Sequence, residues 1–435
     1  MAETVNIEHY SFKVITDRAK GDRYIWACVA LLALASLLVV YSATGSLAYK
    51  MNHGNTEVYL FKQIIFSVVG LLLIYFLHRV NYALYSRWAI ILYFISIPLL
   101  IYTLFFGAEI NDGSRWIKLP IVNMTFQTSD FAKLALFMFI SRQLSRKQKI
   151  IKNFKHGFLP IIIPVILTCG LIFPANLSSA LLTGATALML MFIGRVSLKH
   201  IFLVVLIAMI PMAVLIASAV SYHHSQKNAT DGAAVENAEM PEHTTFKRFA
   251  TWRERVAHFI YAKQEEDPYQ VQQAKIAIAN GSILHGLGPG NSRQRNYLPQ
   301  AYNDFIFSII IEEYGLIGGV FIAFIYLVFL YRCIRIFRKC PYAFGAFLAL
   351  GLSFTLVIQA VANMAVNVNI MPVTGVTLPL ISMGGSSFLF TCASIGIILS
   401  VASNVEKMEG NAAAADDDKY KENSTKTKKQ INGKQ

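Results

Sequence analysis

The strongest restriction on this chain is a series of apolar runs, each close to the length that crosses a bilayer. A helix needs about 20 apolar residues to span the hydrocarbon core. There, only helices and closed barrels satisfy their own backbone polar groups. Runs of this kind occur at Ile25–Leu47, Tyr59–Leu77, Trp88–Phe106, Ser129–Leu144, Phe158–Phe173, Ser178–Ile193, Ile201–Val220, Asp304–Tyr331, Tyr342–Ala365 and Phe388–Ser403. Charged residues make up 15% of the chain, against about 25% in ordinary globular domains. The expectation is an all-α polytopic membrane protein of ten transmembrane helices. The first run is too long for a signal-peptide core and is read as a retained span.

Lysine and arginine set the orientation. Arg79 and Arg87 follow the second run, and Arg142, Arg146, Lys147, Lys149, Lys152 and Lys155 follow the fourth. Arg195 and Lys199 follow the sixth, and Arg332, Arg335, Arg338 and Lys339 follow the eighth. Under the positive-inside rule both termini are cytoplasmic. The expected organisation is a cytoplasmic segment 1–24, a membrane domain 25–405 with a large extracytoplasmic loop 221–303, and a disordered cytoplasmic tail 406–435. The net charge of +14 then reports membrane orientation rather than nucleic-acid binding. Within the outer loop, Phe246, Phe249, Val256, Phe259 and Ile260 fall at helical spacing among Lys247, Arg248, Arg253 and Arg255. That pattern fits a basic amphipathic helix on the outer leaflet. The five cysteines show neither a disulfide framework nor zinc spacing.

Three stretches carry chemistry. The first runs GLGPGNSRQRNYLPQAYNDFIFSIIIEEYG from Gly286. It passes from a glycine-rich loop through Arg293 and Arg295 to Asp304, then into an apolar run containing Glu312 and Glu313. An aspartate at a helix start is commonly a cap. Here Asn303 could cap equally well, and a lone acid at a membrane boundary marks function. Glu312 and Glu313 suit either a buried ion pair or a functional role. The second stretch holds Arg115 and Trp116, then Gln127, Asp130 and Lys133. Asp130 and Lys133 can pair along one helix face. Trp116 suits an interface belt, and Arg115 suits a phosphate or sugar. The third ends in Gly384-Gly385-Ser386-Ser387, which permits close helix packing or offers N–H groups to an anion. No Walker motif, dinucleotide fingerprint, HExxH or GxSxG is present, so no nucleotide cofactor is expected.

Taken as a set, these segments resemble the SEDS family of peptidoglycan polymerases. The first stretch resembles the family's GLGNSxQKxxYLPEAHTDFIFxxxxEExG. NDGSRWI and QTSDFAK resemble NGARRWI and QPSELAK, and PVTGVTLPLISMGGSS resembles PVTGxPLPxISYGGSS. The resemblance covers nearly all ten runs in order. It departs at Tyr302, Asn303 and Gln300, which stand for His, Thr and Glu, at an inserted Pro289-Gly290, and at Thr128 and Asp130, which stand for Pro and Glu.

The resemblance implies a peptidoglycan glycosyltransferase of the bacterial inner membrane. It polymerises lipid II, an undecaprenyl-diphosphate-linked disaccharide peptide, into glycan strands with inversion at the anomeric carbon. Asp304 is then the general base, and Arg115, Lys133, Arg255 and Arg295 are candidates to stabilise the diphosphate, together with a divalent cation (Mg or Mn). Trp116 would stack on substrate. Gln270 and Gln273 would position the loop, unless they only cap and pack, and Ser386 would belong to the substrate site. Such an enzyme needs a lateral groove open to the outer leaflet, lined by the Arg115–Lys133 segment and the eighth span. The implied partners are a class B penicillin-binding protein and other divisome proteins, with no nucleic acid. A septal, cell-division member is favoured over an elongation or sporulation one. The rivals are a precursor flippase, which Glu312 and Glu313 favour most, and a scaffold without chemistry.

Overall fold

The computed structural model describes residues 21–45, 47, 56–109, 114–119, 124–230, 244–261 and 268–408. The N-terminal segment, the C-terminal tail beyond Met408 and parts of the connecting segments lie outside these. The helices are α1 (Arg23–Ala43), α2 (Glu57–Leu77), α3 (Tyr82–Phe106), α4 (Thr128–Lys147), α5 (Leu159–Ile172), α6 (Leu177–Ile193), α7 (Leu198–Thr230), α8 (Thr244–Tyr261), α9 (Tyr269–Asn280), α10 (Ile306–Lys339), α11 (Ala343–Asn367) and α12 (Ser386–Met408).

Among the described residues, eight helical segments are long and apolar enough to cross a membrane. Eight of the ten expected runs correspond to them. The other two differ for physical reasons. α6 is apolar but has only 17 residues. α4 has 20 residues but carries Asp130, Lys133, Arg142, Arg146 and Lys147, so its mean hydropathy is low. It is nevertheless deeply embedded, with Ala132 to Ile140 all buried. α11 and α12 form the centre of the bundle, where 78% and 83% of their spanning windows are buried. α7 lies at the periphery, with 6% buried.

Two expectations need correction. The segment between α3 and α4 is not merely loop: Ala108–Glu109 (β1), Ser114–Leu119 (β2) and Met124–Gln127 (β3) form a three-stranded antiparallel sheet. Trp116 pairs with Gln127 and Lys118 with Thr125. A small sheet therefore interrupts the all-α architecture and carries the Arg115–Trp116 backbone down to the start of α4. In addition, α7 continues to Thr230, beyond the boundary assigned at Val220.

The ends of the bundle are tied together. Asp22 Oδ1 accepts from Tyr24 N at 2.9 Å and so caps α1. Its other oxygen meets Arg332 of α10 at 2.5 Å. Gly21 N donates to Glu406 Oε2 on α12 at 3.0 Å. Residues at the start of α1 and the end of α12 thus share one face of the bundle.

α10 is a broken helix. Gly315 has φ +74° inside it, a conformation that favours glycine. The break frees backbone groups, and the loop before α10 fills the gap. Leu287 N donates to Glu312 O at 2.8 Å, Gly288 N to Glu313 O at 3.0 Å, and Leu316 N to Ser282 O at 3.1 Å. A Cβ on Gly281 or Gly286 would collide with the backbone of Ile311 or Glu313. Freed polar groups at membrane depth are tolerated only when they are paired within the protein.

Candidate active site

The site begins with the turn that precedes α10. Asp304 N donates to Gln300 O at 3.1 Å, and Gln300 has the left-handed φ of +57°. The helix starts at Ile306 with Phe305 at its boundary, so Asp304 stands one residue outside the N-cap position. Its side chain is half-buried and lines a cavity of about 460 Å³. The facing wall is the segment after α11. Gly375, at φ +64°, lies where a Cβ would come within 3.6 Å of Asp304 Oδ2. Met383 N donates to Tyr302 O at 3.1 Å, and Ser382 Oγ donates to Asn303 O at 2.6 Å.

The rest of the cavity comes from distant parts of the chain. β2 and β3 contribute Trp116, Thr125 and Gln127, and α4 contributes Asp130 and Lys133. The first turn of α6 contributes Asn176 and Ser179, and α8 contributes Arg255. α2 contributes Lys62 and Phe66, which stand one helical turn apart. Lys62 is exposed, as are its apolar neighbours Phe61 and Ile65. The cavity therefore reaches the surface beside an apolar, lipid-type face of α2.

Lys133 Nζ and Asp130 Oδ1 are 2.6 Å apart with both side chains buried. The second oxygen, Asp130 Oδ2, is buried without a hydrogen-bond partner among the described residues, and the residue lines the cavity. Among the described residues no three His, Cys, Asp or Glu side chains gather into a metal cage. Burial, and secondarily the charge of Asp304, push the Tyr302 phenol above its ordinary range. The ring stays neutral and keeps its proton beside the carboxylate.

The cavity brings Asp304, Trp116, Lys133 and Arg255 together. Arg255 also donates to Val373 O at 3.2 Å. Arg115 sits in β2, but its side chain lies outside the described residues. Ser386 is buried just behind the wall, where its Oγ accepts from Gln127 N at 3.0 Å. It fixes the β3–α4 junction rather than facing the cavity.

Arg295 is elsewhere. It donates to Gly290 O at 2.8 Å and to Ser42 Oγ at 3.4 Å, which places its charge in the neighbourhood of Glu313. Gln270 and Gln273 lie on α9 and are not among the lining residues. The spanning body of α10 contributes no lining residue among those described. The segment 375–387 takes that place.

Glu312 and Glu313 are committed to the loop. Glu312 accepts from Asn280 Nδ2 at 3.1 Å, from Ser292 Oγ, and from Arg293 N and Gln294 N at 3.3 Å. Glu313 accepts from Ser42 Oγ and, at 3.3 Å, from Ser292 N. Of the residues not foreseen, Lys62 was legible as a lysine inside an apolar run. Gln359, whose Nε2 donates to Thr377 O at 3.0 Å, had only its polarity within α11 to mark it.

The fold is that of a polytopic helical membrane protein with a carboxylate, cations and an aromatic around one cavity. Comparison with known proteins narrows this. Residues 22–407 match the FtsW/RodA/SpoVE family, described as cell cycle proteins, and the chain belongs to that family.

Among its relatives, the probable peptidoglycan glycosyltransferase FtsW of Trichlorobacter lovleyi is 31% identical over 396 residues, covering 89% of this chain and 94% of the relative. The stage V sporulation protein E of Bacillus subtilis is 30% identical over 403 residues, covering 89% and 98%. A solved peptidoglycan synthase complex, described as coordinating polymerization and crosslinking, aligns with TM-score 0.64 at 25% identity. That alignment covers 88% of this chain and 98% of the matched chain. The rod shape determining protein RodA of Thermus thermophilus shares the fold, with TM-score 0.61 at 22% identity, covering 88% and 96%.

Proposed function

We propose that this protein is a peptidoglycan glycosyltransferase that polymerises lipid II on the outer side of the inner membrane, with Asp304 as general base. The observation that carries the reading is the placement of Asp304, held in a non-helical turn with its carboxylate on a cavity that reaches the protein surface beside α2. In the reaction Asp304 accepts the proton of the acceptor sugar's 4-hydroxyl. The oxygen then forms a bond to the donor's anomeric carbon as the bond to the undecaprenyl diphosphate breaks, and the configuration inverts. Inversion by one displacement requires no nucleophilic second carboxylate. A positioned base supplies about 10²–10⁴-fold. Alignment of two lipid-anchored substrates and charge stabilisation of the leaving group supply the rest.

Arg255 and Lys62 are placed to attract the diphosphate at the rim, and Lys133 deeper in the cavity. Trp116 offers a face for a sugar or prenyl segment. Mg²⁺ or Mn²⁺ commonly sits on one or two carboxylates plus substrate phosphates. Asp304 and the second oxygen of Asp130 are the groups here that would hold such an ion, which when bound neutralises diphosphate charge. α4 and α6 complete a ten-span topology with cytoplasmic termini and an outward loop before α10. The prenyl tail enters from lipid beside α2. A class B penicillin-binding protein fits as partner, since the solved complex that aligns with this chain couples polymerization to crosslinking. We place the protein at the septum on the division-type relatives.

The test is strand synthesis from purified lipid II by the full chain with its transpeptidase partner. Wild type makes strands, and Asp304→Ala loses at least about 10²-fold. Strand synthesis undiminished in Asp304→Ala refutes the base. Absence of strands with wild type and partner refutes the enzyme.

A further inference from the structure

The catalytic turn and the wall opposite it are separate in sequence, and one buried side chain joins them. Asn363 is 1% exposed in the interior of α11. Its Nδ2 donates to Asp304 O at 2.8 Å and to Val376 O at 2.7 Å. The two hydrogens of one amide are thus spent on two carbonyls, one on each side of the cleft. Val376 directly follows Gly375, the residue facing the Asp304 carboxylate. One turn further along α11, Asn367 Nδ2 also donates to Asp304 O, at 2.9 Å. Asn367 Oδ1 in turn accepts from Ser308 N at 3.0 Å and from Ser308 Oγ at 2.8 Å. Asn367 Nδ2 also donates to Asn363 O at 2.9 Å and to Asn363 Oδ1 at 3.3 Å. But Asn367 makes no bond to the Gly375–Val376 wall, whereas Asn363 joins that wall to the turn.

The structure assigns Asn363 as a positioning residue: it sets the distance and facing of the Asp304 turn and the Gly375–Val376 wall, between which the reacting sugars must fit. This rests on Asp304 as the base. The chemistry of the site favours an amide here. Two carbonyls approaching one point require a donor with two hydrogens. Without it Asp304 O keeps Asn367 Nδ2, but Val376 O loses the amide that ties it to the turn, and a buried carbonyl left unpaired is costly. Leucine keeps the branched shape of the side chain with no donor. Serine keeps one donor and can serve one carbonyl only. The polymerisation machinery proper (Asp304 and the cavity cations) is untouched by either change. Misplacement by about 1 Å costs on the order of 10²-fold in rate.

The experiment measures kcat and KM for lipid II with the full chain and its partner, for wild type, Asn363→Leu, Asn363→Ser, Asn367→Leu and Asp304→Ala. Monodispersity and Tm are followed in parallel. Asn363→Leu is expected to lower kcat about 10- to 100-fold with KM within about twofold. Asn363→Ser should fall between it and wild type, and Asn367→Leu should be milder than Asn363→Leu. Folded Asn363→Leu at wild-type kcat, or a loss residing in KM alone, overturns the assignment. If Asn363→Leu does not fold, Asn363→Ser decides: unchanged kcat overturns the assignment and a selective kcat loss supports it. An inactive Asp304→Ala beside a normal Asn363→Leu rejects this inference alone. An active Asp304→Ala rejects the base on which it rests.

Discussion

At the scale of single residues, the Asp130–Lys133 pair separates stability from catalysis. Both groups are buried, so removing one partner strands the other as an uncompensated charge. Lys133→Met alone should cost about 3–5 kcal/mol of stability, read as a fall in Tm. Adding Asp130→Asn in the same chain should recover most of that Tm. Polymerisation should stay low in the double variant, because the deep cation of the cavity is gone. If the double variant regains both Tm and activity, the pair is structural only. Lys62 differs in being exposed. Lys62→Gln should raise KM for lipid II about fivefold with kcat little changed, the worth of about 1 kcal/mol for an exposed charge contact. The effect should shrink as salt rises, and a salt-independent loss of kcat would rule this role out.

At the scale of elements, α10 is the segment on which the site is hung. Its break at Gly315 allows the 281–296 loop to dock through backbone hydrogen bonds and through Glu312 and Glu313, and that loop leads into the Asp304 turn. Gly315→Ala forces an L side chain into φ +74°, ψ 177°, a region essentially reserved for glycine, at a cost of roughly 1–3 kcal/mol. The expected result is a lower Tm together with faster proteolysis between α9 and α10. An unchanged Tm would mean that the break relaxes into a continuous helix. The two glutamates show what sequence leaves open. Paired acids in an apolar run were compatible with a transport pathway or a structural network. The structure places both among loop N–H and hydroxyl donors, away from the cavity. Arg295 was read as a substrate cation for its place near Asp304 in the chain. The docked loop turns it instead toward Gly290, Ser42 and Glu313.

At the scale of the whole molecule, the fold joins eight long apolar segments, the more polar α4, the short apolar α6 and a small sheet around the candidate cavity. If the chain is oriented as proposed, Tyr297→Cys, exposed before the Asp304 turn, should react with a membrane-impermeant maleimide in intact spheroplasts. Met408→Cys, at the end of α12, should react only after permeabilisation. The reverse pattern would invert the topology and put Asp304 on the wrong side for an outward-facing polymerase.

The sequence by itself determined the class and located eight of the spans. Apolar length and period are local properties, and the bilayer allows almost one solution for each such run. It also singled out Asp304, Trp116 and Lys133, because charged or aromatic residues beside apolar runs stand out locally, while Arg255 became a candidate through the family resemblance. Tertiary structure alone decided which of the cations share a cavity and that Lys62 of α2 joins them. It alone decided that Ser386 holds a strand end, and that Asn363 links two segments far apart in the chain. Those outcomes depend on how helices pack and where a loop docks. A side chain's polarity is written in the sequence, but the partner that uses it is fixed by neighbours that come from elsewhere.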